Sequence, residues 1–155
     1  MIYCHYMKIH LGTDHAGFEL KNKIAEYLTN KGYDVVDHGA FELDNDDDYP
    51  DFIKPVAEAL STDPEARGII LGGSGQGEAM CANRHQGVRA TVYYGGLIDM
   101  VRVSREHNNA NALSLGARYV TDQEAMQAVD LFLETEFSNE ERHVRRLEKW
   151  FENTI

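Results

Sequence analysis

From Lys8 onward, apolar positions follow two alternating rhythms. Ile9 and Leu11 alternate with polar neighbours and predict a first strand over residues 8–13. Leu20, Ile24 and Leu28 then recur at four-residue spacing, with Ala25 and Tyr27 beside them, which is the stripe of an amphipathic helix. Gly32 stands where a glycine ends such a helix. A second strand is predicted over 33–36 and a second helix over 51–60, with Pro55 blurring its start. Ile69, Ile70 and Leu71 form an unbroken apolar run, as a strand buried on both faces requires. A short helix over 78–84, a strand over 88–94, a helix over 97–107 and a strand over 112–115 follow. Thr121 with Glu124, and Ser138 with Glu141, have capping-box spacing. They predict two closing helices, with Ala125, Val129 and Leu133 along one and Val144, Leu147 and Phe151 along the other. Alternating strands and helices predict an α/β fold, a parallel sheet between two helical layers.

The exception to the periodicity is the turn after the third strand. Four glycines, Gly72, Gly73, Gly75 and Gly77, fall within six residues, with Ser74 among them and Glu78 next. Glycine lets backbone approach a ligand closely, and a strand–loop–helix junction aims several N–H groups at one point. That concavity suits a phosphate or a developing oxyanion. Glu78 would repel a phosphate held there, so the loop reads as an oxyanion cradle with a carboxylate beside it. The alternative is a tight turn whose glycines serve only packing. Asp14-His15-Ala16-Gly17 is a polar tip at the end of the first strand, the edge where open α/β sheets bind ligands.

Composition narrows the classes. The 155 residues suit one domain, expected over 7–155, with residues 1–6 a frayed extension or an upstream start choice. No apolar run approaches the ~20 residues of a membrane span, and no cationic-then-apolar leader precedes the domain, so a cytoplasmic protein is expected. Cys4 and Cys81 support neither a disulfide framework nor a zinc site. The net charge of −11 argues against a nucleic-acid surface, and six acidic residues fall between Glu42 and Asp51. Positive charge collects late instead. Arg142 and Arg146 share a face of the last helix, and Arg118 follows the fifth strand. They fit a phosphate clamp, set against the blander reading of solvated arginines paired with Glu141 or Glu148. Of the histidines, His15 and His107 lie in polar clusters at element ends, and His143 adjoins Arg142.

A glycine cradle, a carboxylate base, histidines and an arginine clamp suit proton abstraction α to a carbonyl in a phosphorylated small molecule. Aldose–ketose isomerisation is the simplest such reaction. No metal-ligand set and no nucleotide fingerprint stands out, so no cofactor is expected.

Several motifs together resemble the ribose-5-phosphate isomerase B family (the RpiB/LacAB sugar-phosphate isomerases). They are Asp14-His15-Ala16-Gly17 with Leu20-Lys21, Asp48-Tyr49-Pro50, the Gly72–Gly77 loop, Ala82-Asn83 and Gly87-Val88-Arg89-Ala90. Arg105-Glu106-His107-Asn108, Leu115-Gly116-Ala117-Arg118 and Arg142-His143 continue the match in order. The resemblance implies a Rossmann-like α/β/α sandwich with a five-stranded parallel sheet. It implies a homodimer, a tetramer in some members, with active sites at the interface. The implied reaction is metal-free interconversion of ribose 5-phosphate and ribulose 5-phosphate through an enediolate, a step of the pentose phosphate pathway. Where much of the family opens the loop with a cysteine base, this chain has Gly72; it resembles the subgroup in which a glutamate takes over, here Glu78.

By the same resemblance, Ser74 and the N–H groups around Gly73, Gly75 and Gly77 hold the enediolate oxygen. His107, supplied by the partner subunit, assists ring opening, with Asp14 in support and Asn108 on a substrate oxygen. His15, Arg118, Arg142 and Arg146 bind the phosphate. A base working near neutral pH predicts a partly desolvated Glu78. Two alternatives stand beside this reading: an isomerase of allose 6-phosphate or galactose 6-phosphate, and a non-catalytic phosphosugar-binding protein.

Overall fold

A computed structural model describes residues 7–150; the expected extension over 1–6, and Phe151 of the last apolar stripe, lie outside the described residues. Among the described residues, five strands make one all-parallel sheet in the order β2-β1-β3-β5-β4. They are β1 (Lys8–Thr13), β2 (Asp34–Asp37), β3 (Arg67–Gly72), β4 (Ala90–Tyr93) and β5 (Ala112–Gly116). Six α-helices among the described residues connect and cover them: α1 (Phe18–Asn30), α2 (Pro50–Thr62), α3 (Gln76–Ala82), α4 (Asp99–Asn108), α5 (Asp122–Glu134) and α6 (Glu141–Glu148).

The alternation of side chains along each strand divides the core in two. Ile9, Leu11, Ile69, Leu71, Leu113 and Leu115 face one layer, packed with Ile24 and Leu28 of α1, Val101 of α4 and Val129 and Phe132 of α5. Ile70 and Ala112 point the other way, onto Ile53, Val56 and Leu60 of α2 and Ala82 of α3. Phe132 is fully buried; truncating it to alanine is worth about 3–5 kcal/mol of stability. The chain moves from β1 to β2 on one side, then crosses to β3, β4 and β5 on the other. The direction therefore reverses between β1 and β3, which opens a crevice at the C-terminal ends of those strands.

Local chemistry explains the element ends. Gly32 (φ +88°) closes α1, with its N–H on the Thr29 carbonyl and that of Tyr33 on Leu28. The latter bond delays β2 to Asp34. The Thr121–Glu124 capping box forms with both bonds. The Ser138 box does not: Asn139 is left-handed (φ +53°), Glu140 caps α6, and the Ser138 N–H is held by the Glu106 carbonyl of α4. α3 starts at Gln76, two residues earlier than the apolar pattern suggests, because Gly75 (φ +77°) turns the chain at its cap. β4 is shorter than predicted, since the Val88 N–H closes a turn on His85 and that of Arg89 is taken by the Asn111 side chain.

One buried charge escapes the pattern altogether. Lys21 of α1 is 1 % exposed, and its Nζ donates to both Asp37 carboxylate oxygens (2.8 and 2.7 Å) and to the Ala40 carbonyl (2.8 Å). Gly39 and Ala40 in turn exchange 2.8 Å backbone bonds with Thr13, so this ion pair anchors the start of the acidic loop against the tip of β1.

Candidate active site

The C-terminal edge of the sheet gathers the loops after β1, β3 and β5. Asp14, 7 % exposed, accepts the Ala16 N–H at 2.9 Å and so caps the short 3-10 turn His15–Gly17. The Thr13 hydroxyl donates to the Leu71 carbonyl at 3.0 Å and ties this turn to β3. After β5, the Ala117 and Arg118 N–H groups reach the Gly72 and Gly73 carbonyls at 2.9 and 3.2 Å. That pairing lays the Arg118 guanidinium on Gly73, where a Cβ would come within 3.1 Å of Nη1. The Ser114 hydroxyl holds the Gly75 carbonyl at 2.6 Å and fixes the far side of the loop.

Glu78 occupies the first turn of α3 and is 4 % exposed. Its carboxyl fills the space that a side chain at position 72 would take: a Cβ on Gly72 would lie 2.0 Å from Cδ and Oε1. Burial pushes the Glu78 carboxyl above the usual carboxylate range, a backbone N–H bond pulls it part of the way back, and the nearby Asp14 charge raises it again. A carboxylate held in this state is a stronger base than one in water.

Two residues of the acidic loop reach the same edge, and neither stood out in the sequence as a site residue. Tyr49 lies against Gly77, where a Cβ would meet its ring and hydroxyl at 2.9 Å. Asp47 grips His15, accepting from the backbone N–H at 3.1 Å and lying 2.7 Å from Nδ1. The Asp47 hydrogen bond is the main force raising the His15 pKa; partial burial opposes it, Asp14 adds to it and Arg118 lowers it. Asp14, His15 and Asp47 are also the one trio of metal-donor types within 4.8 Å found among the described residues. His15 and Asp47 already serve each other, and the trio is not assigned to a metal.

The remaining sequence-selected residues lie elsewhere in the chain. α4 runs back against the strands, so His107 and Asn108 at its end sit beside the starts of β4 and β5. Arg89, just before β4, donates to the Asn109 carbonyl at 2.7 Å and fixes that position. Ten helical residues span roughly 15 Å, which separates His107 from the Glu78 edge. The His107 ring stacks on His143 of α6 at 4.3 Å and 14°. His143 is buried, which lowers its pKa, as do His107 and the neighbouring arginines; its Nε2 has no hydrogen-bond partner among the described residues. Arg142 and Arg146 are exposed on the same helix, Arg142 pairing with Glu140 at 2.8 Å and Arg145 with Glu141 at 2.8 Å. A cavity of about 840 Å³ lies at this N-terminal edge, lined by Asn83, Arg84, Arg89, Ser104 and Asn108 among others. None of the residues around Glu78 lines it.

A parallel α/β sandwich with a glycine cradle, a desolvated carboxyl and a histidine–arginine pair at its switch point defines a class of anion-handling enzyme folds. Residues 9–150 match the model of the Ribose/Galactose Isomerase family, and the chain belongs to that family. It is 43 % identical over 142 residues to ribose-5-phosphate isomerase B of Mycolicibacterium paratuberculosis, covering 92 % of this chain and 88 % of that one. The Escherichia coli enzyme of the same name is 35 % identical over 141 residues, 91 % of this chain and 92 % of its own. Among solved structures, ribose-5-phosphate isomerase B of Mycoplasma genitalium with bound ribulose-5-phosphate superposes with a TM-score of 0.90 at 38 % identity, covering 95 % of each chain. The Thermotoga maritima enzyme gives 0.86 at 42 % identity, covering 94 % of this chain and 97 % of that one.

Proposed function

We propose that this protein interconverts ribose 5-phosphate and ribulose 5-phosphate, with Glu78 as the base. The observation that carries the reading is the Glu78 carboxyl seated in the side-chain space of Gly72, beside the loop amides. Starting from the open-chain aldose, Glu78 takes the proton from C2, and the electron pair moves into a C1–C2 double bond. The carbonyl oxygen gains negative charge, which Ser74 and the N–H groups around Gly73, Gly75 and Gly77 stabilise. Glu78 then returns the proton to C1 while a proton passes from O2 to O1, and the ketose results. Atoms and charge balance with no co-reactant.

His15 and Arg118 hold the phosphate from the same chain. His107, Asn108, Arg142 and Arg146 come from a second copy, because one chain keeps them at the opposite sheet edge. His107 acts in ring opening and Asn108 on a substrate oxygen, in a homodimer with interfacial sites. Exposed arginines and the polar cavity beside Asn108 support that arrangement. Among the described residues no helix is long and apolar enough to cross a membrane, and a cytoplasmic location fits a phosphosugar substrate.

The test is isomerase activity on ribose 5-phosphate with chelator present, wild type beside Glu78→Gln. Activity that survives chelation and is lost in the variant supports the reading. Turnover of hexose 6-phosphates alone would move the assignment to the six-carbon substrates, and phosphosugar binding without turnover would make the chain a binding protein.

A further inference from the structure

We propose that Asp47 is a positioning residue for the phosphate-binding histidine: it holds His15 at both Nδ1 and the backbone N–H, leaving Nε2 as the nitrogen that meets the sugar phosphate. This rests on the proposed assignment of His15 to the phosphate. The geometry is specific. One oxygen, Oδ1, takes both contacts at 2.7 and 3.1 Å, and the Asp47 side chain is only 9 % exposed. Its other oxygen is buried with no hydrogen-bond partner among the described residues. The His15 ring, 2.7 Å away, is the charge partner beside that enclosed side chain, and protonation of the ring turns the contact into an ion pair.

The loop does not need this side chain for its own shape. The turn is closed by Asp44, whose carbonyl accepts the Asp47 N–H at 3.2 Å and whose carboxylate accepts the Asp46 N–H at 3.0 Å. The Asp47 carboxylate is spent on His15 instead. Three charged groups face that ring: Asp47 from the loop, Asp14 from the end of β1 with Oδ2 at 4.0 Å, and Arg118 from the end of β5. The two carboxylates keep His15 protonated to higher pH, and Arg118 works against them. A histidine with Nδ1 occupied and a positive charge offers the phosphate a charge-assisted Nε2–H bond. The acidic loop, which alone would repel the substrate, thereby adds a positive group to the site.

The experiment has two readouts. The His15 ring is followed by NMR through a pH titration in wild type, Asp47→Asn and Asp47→Ala, with His15→Gln assigning the signal. Kinetics on ribose 5-phosphate are measured over the same pH range. In Asp47→Asn, which keeps an acceptor but loses the charge, His15 is expected to titrate at lower pH. KM is expected to rise about tenfold on the alkaline side with kcat nearly unchanged. Asp47→Ala loses acceptor and charge together, so its KM rises further and begins rising at lower pH. An unchanged His15 titration in both variants overturns the proposal, as does a KM increase that is uniform across pH. If the wild type turns over no ribose 5-phosphate, the functional assignment fails separately. The His15 titration, repeated with inorganic phosphate, then decides the role of Asp47 by itself.

Discussion

Glu78 and Gly72 share one side-chain volume: the carboxyl of the first lies where the Cβ of the second would be, 2.0 Å from its ideal position. The catalytic geometry proposed above therefore depends on a residue that contributes no side chain at all.

Adding a side chain at 72 should expel the carboxyl. Gly72→Ala and Gly72→Cys are expected to lower kcat/KM about 100-fold or more, because Glu78 leaves its near-attack position. Thermal unfolding should fall by several degrees through overpacking. Adding Glu78→Ala to Gly72→Cys removes the clash, so stability should return in the double variant. Two losses that simply add would mean the groups do not compete for space.

Glu78→Gln should separate activity from stability. Its folded-state pKa is raised, so the folded form holds the proton more tightly than the unfolded chain, and the ionised carboxyl weakens the fold. That penalty is present above the folded-state pKa and is relieved as pH falls toward the ordinary carboxylate range. The amide variant is expected to melt at or above the wild-type temperature at neutral pH, with the gap closing in acid. By the same sign, the acid limb of wild-type kcat should lie above the usual carboxylate range. A variant markedly less stable than wild type at neutral pH would contradict the desolvation argument.

Mixing defective proteins tests the two-copy site. Glu78→Gln and His107→Ala should each be inactive alone, yet their heterodimers hold one site with both groups intact. After subunit exchange, activity should recover to about a quarter of wild type. No recovery despite exchange, followed by mass spectrometry, would place both groups in one chain's site.

Lys21→Met tests the buried ion pair. It strands Asp37 at the head of the acidic loop, and urea unfolding should report a loss of about 3 kcal/mol. Since Gly39 and Ala40 brace Thr13 next to Asp14, KM should rise as well.

The parallel sheet was legible because Ile69-Ile70-Leu71 and the spaced leucines of α1 report burial directly. The glycine loop was legible as a tight strand-to-helix turn, because clustered glycines after an apolar run mark one, and Gly75 is left-handed at the cap of α3. Asp47 was not, because in sequence it is one acid among six; only the fold turns it inward onto His15. Lys21 was hidden likewise, since a lysine on an amphipathic helix ordinarily faces water. Ser138 misled because capping-box spacing assumes a helical continuation, and the left-handed Asn139 breaks it. The distance between His107 and Glu78 depends on which way α4 runs relative to the strands, a fact of topology that no local motif records.

Arg142 and Arg146 stand exposed on a short helix at the far edge of the sheet. By solvent exposure alone they belong with the positions that drift freely over evolutionary time. On the two-copy reading they answer to a catalytic centre in another molecule, so selection acts on them through a surface that the isolated chain leaves bare. Mutational tolerance in such a protein follows the assembled site rather than exposure on the single chain. A saturation scan should find these two arginines as constrained as the buried leucines of the core.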